Sequence, residues 1–147
     1  MNQPKIIQEI QDNIEAVISQ DSPLGRSLWR MLLEQHPADV ASLISELDRD
    51  QAQHLFLMLP KEFRTEVFKI SSFHMQATCL NFLSEHEKAE MLYSLGVDDL
   101  ADLFDHVSDS DLKNYLNLLH RKAREKVISL LQFDPESAGG NMETEVL

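Results

Sequence analysis

The stretch "GVDDLADLF", residues 96 to 104, places Asp98, Asp99 and Asp102 within five positions. Asp105, Asp109 and Asp111 extend the run, and no lysine or arginine lies between Asp98 and Asp111. Side chains four apart leave the same face of a helix. Asp98 and Asp102 would therefore hold carboxylates about 6 Å apart, where like charge costs about a few tenths of a kcal/mol. A divalent cation removes that penalty. Mg²⁺ suits such a pair, because it prefers hard oxygen ligands, keeps several waters and accepts one or two protein carboxylates. Asp99 lies between them and points about 100° away. A plainer reading competes: aspartates favour caps and first turns, where the positive end of the helix dipole stabilises them, and charged runs are usually solvated faces. Spacing alone leaves both open.

No other constellation offers comparable chemistry. The histidines at 36, 54, 74, 86, 106 and 120 never form an HxxxH pair, and none stands at zinc-like spacing from Cys79. Cys79 occupies an apolar slot and reads as a small buried hydrophobe. "HRKAREK", His120 to Lys126, is the single basic cluster; it is either a contact for an acidic partner or an ordinary solvated helix face. Four glycines form no phosphate-cradling loop, and no serine sits in a nucleophile elbow. Without an assembled acid, base or nucleophile, the chain reads as non-enzymatic.

Composition narrows the partners. With 13 basic and 25 acidic residues the formal charge is −12, which repels phosphate backbones and anionic headgroups and argues against nucleic acid or direct membrane insertion. The longest apolar run, Leu55 to Leu59, is far too short to span a bilayer, so the chain is expected to be soluble. A lone cysteine fits a reducing cytosolic setting. A length of 147 residues with 43% hydrophobic content fits one domain with a real core.

The elements that must position the acids follow from a repeat. Paired large side chains recur every twelve residues: Leu43-Ile44, Leu55-Phe56, Val67-Phe68, Cys79-Leu80, Met91-Leu92, Leu103-Phe104, Tyr115-Leu116 and Val127-Ile128. In one continuous helix, twelve residues would advance the stripe by about 120° beyond whole turns and scatter the pairs over three faces. The helix must therefore break in every unit. Asp48, Pro60, Ser72, Ser84, Gly96, Ser108 and His120 supply the breaks, mostly as N-cap or turn residues. Asp48 with Gln51, and Ser84 with Glu87, have capping-box spacing. Proline after His36 suits a helix start. Such short helices are marginal alone and must stack.

The expected fold is all-α: a right-handed superhelical solenoid of short helices, capped by one longer amphipathic helix carrying Ile6, Ile7, Ile10, Ile14, Val17 and Ile18. "DSPLG", Asp21 to Gly25, ends that helix, and Leu28, Met31 and Leu32 begin the stack. The organisation reads as a capping helix and link over 1–25, a helical-repeat domain over 26–133, and a linker over 134–147.

"HPADVASLISELDRDQAQHLFLMLPKEFRTEVF" (His36 to Phe68), "DDLADLF" (Asp98 to Phe104) and the tail "DPESAGGNMETEVL" (Asp134 to Leu147) resemble the amino-terminal cytosolic domain of MgtE-type magnesium transporters and channels. The likeness runs from about residue 28 onward. Its most specific marker is the tail, similar to a family pattern near "AGGLMTTE" from which Asn141 and Glu143 depart. The resemblance implies that 134–147 holds the linker and the start of a CBS domain, and that the CBS pair and a transmembrane pore follow Leu147 in a dimeric parent at the cytoplasmic face of the cell membrane. It also implies regulatory Mg²⁺ between the helical and CBS domains, on acids matching Asp98 and Asp102, on Glu66, and on the backbone carbonyl of Gly140. Asp99 ranks lower. Gly139-Gly140 would serve as a hinge.

Two functions follow. One is a magnesium-sensing module that gates a pore. The other is a plain α-solenoid scaffold that grips a protein partner, resembling the middle domain of a flagellar motor switch protein.

Overall fold

The computed structural model describes residues 5–132, which divide into two compact units, one through Phe82 and one from Leu83. The first holds α1 (Lys5–Asp12), α2 (Ile14–Ser19), α3 (Pro23–Leu32), α4 (Pro37–Glu46), α5 (Arg49–Met58), α6 (Lys61–Ile70) and α7 (Phe73–Leu80). The second holds α8 (Glu85–Tyr93), α9 (Val97–Phe104), α10 (Asp109–Leu118) and α11 (Arg121–Gln132). No strand occurs among the described residues, as the all-α reading requires.

Each break proposed from the repeat is a helix start. Asp48, Pro60, Ser72, Ser84, Gly96 and Ser108 are the N-caps of α5 through α10, and His120 immediately precedes α11. Both capping boxes form: the Asp48 carboxylate accepts the Gln51 amide at 2.9 Å, and the Ser84 hydroxyl accepts the Glu87 amide at 3.2 Å. His36 caps α4 with its ring, Nδ1 accepting the Ala38 N–H at 3.0 Å, ahead of Pro37 at the first helical position.

The paired apolar residues form the core. All pairs from Leu43-Ile44 to Leu103-Phe104 are buried on both members; in the last two, Leu116 and Ile128 are only half-buried. Helices pack two apart as well as next to each other. Within the first unit α4 lies on α6, α1 on α3 and α2 on both α3 and α5; within the second α8 lies on α10 and α9 on α11. Stacking of this kind supplies the burial that isolated eight- to ten-residue helices lack. Cys79 is buried as expected, and desolvation pushes its thiol up to about 12.

The amino terminus differs from the single helix expected. Asn13 interrupts it, with backbone angles of φ −118 and ψ 30, while its side-chain amide and its own N–H both donate to the Glu9 carbonyl, at 2.9 and 3.1 Å. Ile7, Ile10, Ile14 and Val17 are nonetheless buried across the break. Gln20, at φ 60, closes α2 in the left-handed region. Ser22 then caps α3, which therefore begins inside "DSPLG". A Cβ on Gly25 would stand 2.1 Å from the Ala16 carbonyl oxygen, so glycine permits the close approach of α2 and α3. Met31, expected in the stack, is exposed, whereas Leu28 and Leu32 are buried.

One column breaks the apolar rule usefully. Val40, Ala52, Arg64, Gln76, Lys88 and Leu100 stand twelve apart, and the polar members each bond to groups of the fold. Arg64 Nη2 donates to the carbonyls of Leu57 and Leu59 at 2.8 and 3.3 Å, with its guanidinium over the Phe56 ring. Gln76 Nε2 donates to the Phe68 carbonyl at 2.9 Å. Each bonds carbonyls at the end of the preceding helix; that of Phe68 also accepts the Ser71 N–H at 3.1 Å.

Candidate metal site

Helix α9 is oriented by what it buries. Leu100, Ala101, Leu103 and Phe104 face the core of the second unit, and the Phe104 ring lies 5.8 Å from that of Tyr115. Asp98, Asp99 and Asp102 are left exposed. The helix is continuous from Val97 to Phe104, so Asp98 and Asp102, four apart, share one face.

The dipole accounts for some of these acids and not others. Gly96 offers no capping side chain, and Asp98 and Asp99 occupy the first turn of α9, where they complement its positive end. Asp109 and Asp111 do the same in α10, behind a Ser108 hydroxyl that accepts the Asp111 amide at 3.2 Å. Asp102 and Asp105 stand in the opposite situation. Asp102 lies in the carboxyl half of α9 and Asp105 is its C-cap, where negative charge is disfavoured. A ring nitrogen of His106 lies 2.7 Å from the Asp102 backbone carbonyl, a contact suited to a helix carboxyl end.

Among the sequence candidates, Asp98, Asp99 and Asp102 share one helix. Glu66 is on α6 in the first unit, exposed beside the buried Val67 and Phe68, and lines an open groove with Lys61, Glu62, Phe63 and Thr65. Gly140 and Gly139 lie outside the described residues. Among the described residues, no group of three or more His, Cys, Asp or Glu side chains could hold a metal ion. The donors that α9 offers one cation are thus the two same-face carboxylates, a set that fits Mg²⁺ with its remaining positions taken by water or another surface.

Two supports of this unit escaped the sequence reading. Lys88 Nζ donates to Glu85 Oε2 and Asn114 Oδ1, each at 3.2 Å, while Asn114 Nδ2 donates to Glu85 Oε1 at 3.4 Å, tying α8 to α10. The His120 N–H donates to the Tyr93 hydroxyl, and the two rings stack at 5.1 Å. The available signal was Lys88 itself, a cation in a column position where Leu100 stands one repeat later.

Comparison with known proteins places this chain among relatives. The family model described as the MgtE intracellular N domain matches residues 35–136. Magnesium transporter MgtE of Thermus thermophilus is 32% identical over 123 residues, covering 82% of this chain and 27% of that protein. The chain thus spans about a quarter of the relative's length. The crystal structure of the soluble part of a magnesium transporter superposes with a TM-score of 0.64 at 24% identity, covering 90% of this chain and 52% of that one, and shares its fold.

Proposed function

Because this chain belongs to the MgtE intracellular N domain family, we propose that it is the cytosolic magnesium-sensing domain of a magnesium transporter or channel. In this reading Asp98 and Asp102 hold Mg²⁺ against carboxylates of a following pair of CBS domains. The family resemblance implies Glu66 and the backbone carbonyl of Gly140 as further Mg²⁺ ligands of the domain, with Asp99 in a lesser part. The segment 134–147 leads into the CBS region of a homodimeric parent whose transmembrane domain carries the pore.

The observation that carries this reading is Asp102. The helix dipole stabilises Asp98 where it stands, but Asp102 shares its face without that support. Mg²⁺ supplies the missing positive charge. At high Mg²⁺ the ion joins the acids of the two domains and a compact state holds the pore shut. At low Mg²⁺ the acids repel, the helical domain swings away about Gly139-Gly140, and the open state gains population. The shift is limited by the ion's preference for the closed assembly, and pore and sensor are coupled reciprocally. The relatives, named as magnesium transporters, favour this reading over a plain scaffold.

A titration of the isotope-labelled chain with MgCl₂, followed by NMR, tests it. Without facing carboxylates the affinity should be weak, roughly millimolar, since affinity follows the count of charged ligands. Chemical-shift changes should centre on residues 98–102 and vanish in Asp98→Ala/Asp102→Ala. Changes confined elsewhere, or unaltered in the double variant, would refute the site.

A further inference from the structure

The basic cluster at the start of α11 is left unused by magnesium sensing. Arg121, Lys122 and Lys126 are exposed and Arg124 is half-buried, four cations within six residues of a chain whose formal charge is −12. The first turns of α8, α9 and α10 carry Glu85 and Glu87, Asp98 and Asp99, and Asp109 and Asp111; that of α11 carries no acid. Three of the cations, Arg121, Lys122 and Arg124, therefore add to the positive end of the helix instead of opposing it. Burial does not demand this, because the apolar contribution of α11 comes from Val127, with Ile128 and Leu131 half-buried.

The neighbourhood selects among anionic partners. Glu125 stands within the cluster, paired with Arg121 at 3.1 Å. Helix α11 packs on α9, which exposes Asp98, Asp99 and Asp102. A bilayer or a duplex laid on α11 would bring a continuous sheet or rail of phosphates onto a compact unit that also exposes these acids, where like charges repel. A polypeptide presents a few carboxylates at chosen points and can match a patch this small. From this charge complementarity we propose that the exposed basic face at the start of α11 docks an acidic polypeptide segment, through Lys122, Lys126 and the Arg121 and Arg124 guanidiniums. The contact needs no metal, so it complements the acid face of α9 without depending on it.

The test uses the whole chain, labelled for NMR, with hexaglutamate as the probe. Amide shifts should concentrate on residues 121–126, weaken at least about tenfold in about 0.5 M NaCl, and disappear in Lys122→Glu/Lys126→Glu. The neutral variant Lys122→Gln/Lys126→Gln should respond at an intermediate level, and both variants should retain the wild-type MgCl₂ response at Asp98 and Asp102. No shift with hexaglutamate, an equal response in the charge-reversed variant, or tighter binding to phosphatidylglycerol vesicles than to the peptide would overturn the proposal.

Discussion

Helices α9 and α11 pack on each other in one compact unit, yet they open with opposite charges. Helix α9 begins Val97-Asp98-Asp99, in accord with its dipole; α11 begins Arg121-Lys122-Ala123-Arg124, against it. An acid in a first turn is explained by the helix it stabilises and says little about ligands. A charge placed against the dipole costs about 0.3–1 kcal/mol when exposed and so calls for a further explanation. By that measure the informative residues are Asp102 and Asp105 at the end of α9 and the cations opening α11, whereas Asp109 and Asp111 are accounted for by α10.

The comparison assumes that α9 is held firmly enough to separate an acidic face from a core face. Phe104→Ala should break it most severely, lowering unfolding free energy by about 3–5 kcal/mol in chemical denaturation, because the ring is buried against Tyr115. A loss below about 1 kcal/mol would mean that α9 is not anchored by this contact.

A second effect lies at high pH. Burial, with a smaller contribution from the nearby Asp111 carboxylate, pushes the Tyr115 hydroxyl from its ordinary 10 up to about 12. The folded value is raised, so this contribution to stability is complete below pH 10 and is lost as pH climbs towards 12. The hydroxyl has no hydrogen-bond partner among the described residues. Tyr115→Phe should therefore change stability little at pH 7 and reduce the alkaline loss, as read by denaturation at a series of pH values. A variant as alkali-sensitive as the wild type would assign the loss elsewhere, Cys79 being the other buried group raised to about 12.

At the smaller end, Lys122→Glu gives α11 the acidic first turn that α9 has. In low salt it should raise stability by about 0.3–1 kcal/mol, an effect that fades with added NaCl. A loss of stability would mean that the basic start of α11 is held by contacts within the fold.

The sequence was most legible where chemistry is local. Asp48, Ser72, Ser84 and Ser108 each bond an amide within three residues, so their twelve-residue spacing sufficed to place helix starts. Asn13 shows the limit: an apolar stripe continues through it, and only its backbone angles, φ −118 and ψ 30, reveal the break. Met31 follows the helical period and is still exposed, because burial depends on which neighbours arrive. Arg64, Gln76 and Lys88, polar members of the column that runs from Val40 to Leu100, have partners three to 26 residues away that spacing does not reveal. The site divides likewise. The shared face of Asp98 and Asp102 follows from helix geometry within one turn, whereas a ligand role for Glu66, 32 residues before Asp98, depends on tertiary placement that spacing does not encode.

The central claim is that Asp102 is placed for a cation and not for its helix. Thermal or chemical denaturation of Asp102→Asn and Asp98→Asn, with and without about 20 mM MgCl₂, tests it most directly, since an ion bound at a few millimolar would stabilise the folded chain by roughly 1 kcal/mol. The account predicts that without Mg²⁺ Asp102→Asn is as stable as the wild type or a few tenths of a kcal/mol more so, while Asp98→Asn is less stable, and that Asp102→Asn loses the Mg²⁺-induced gain. An Asp102→Asn variant that is destabilised without Mg²⁺ and still stabilised by it as the wild type is would contradict the account.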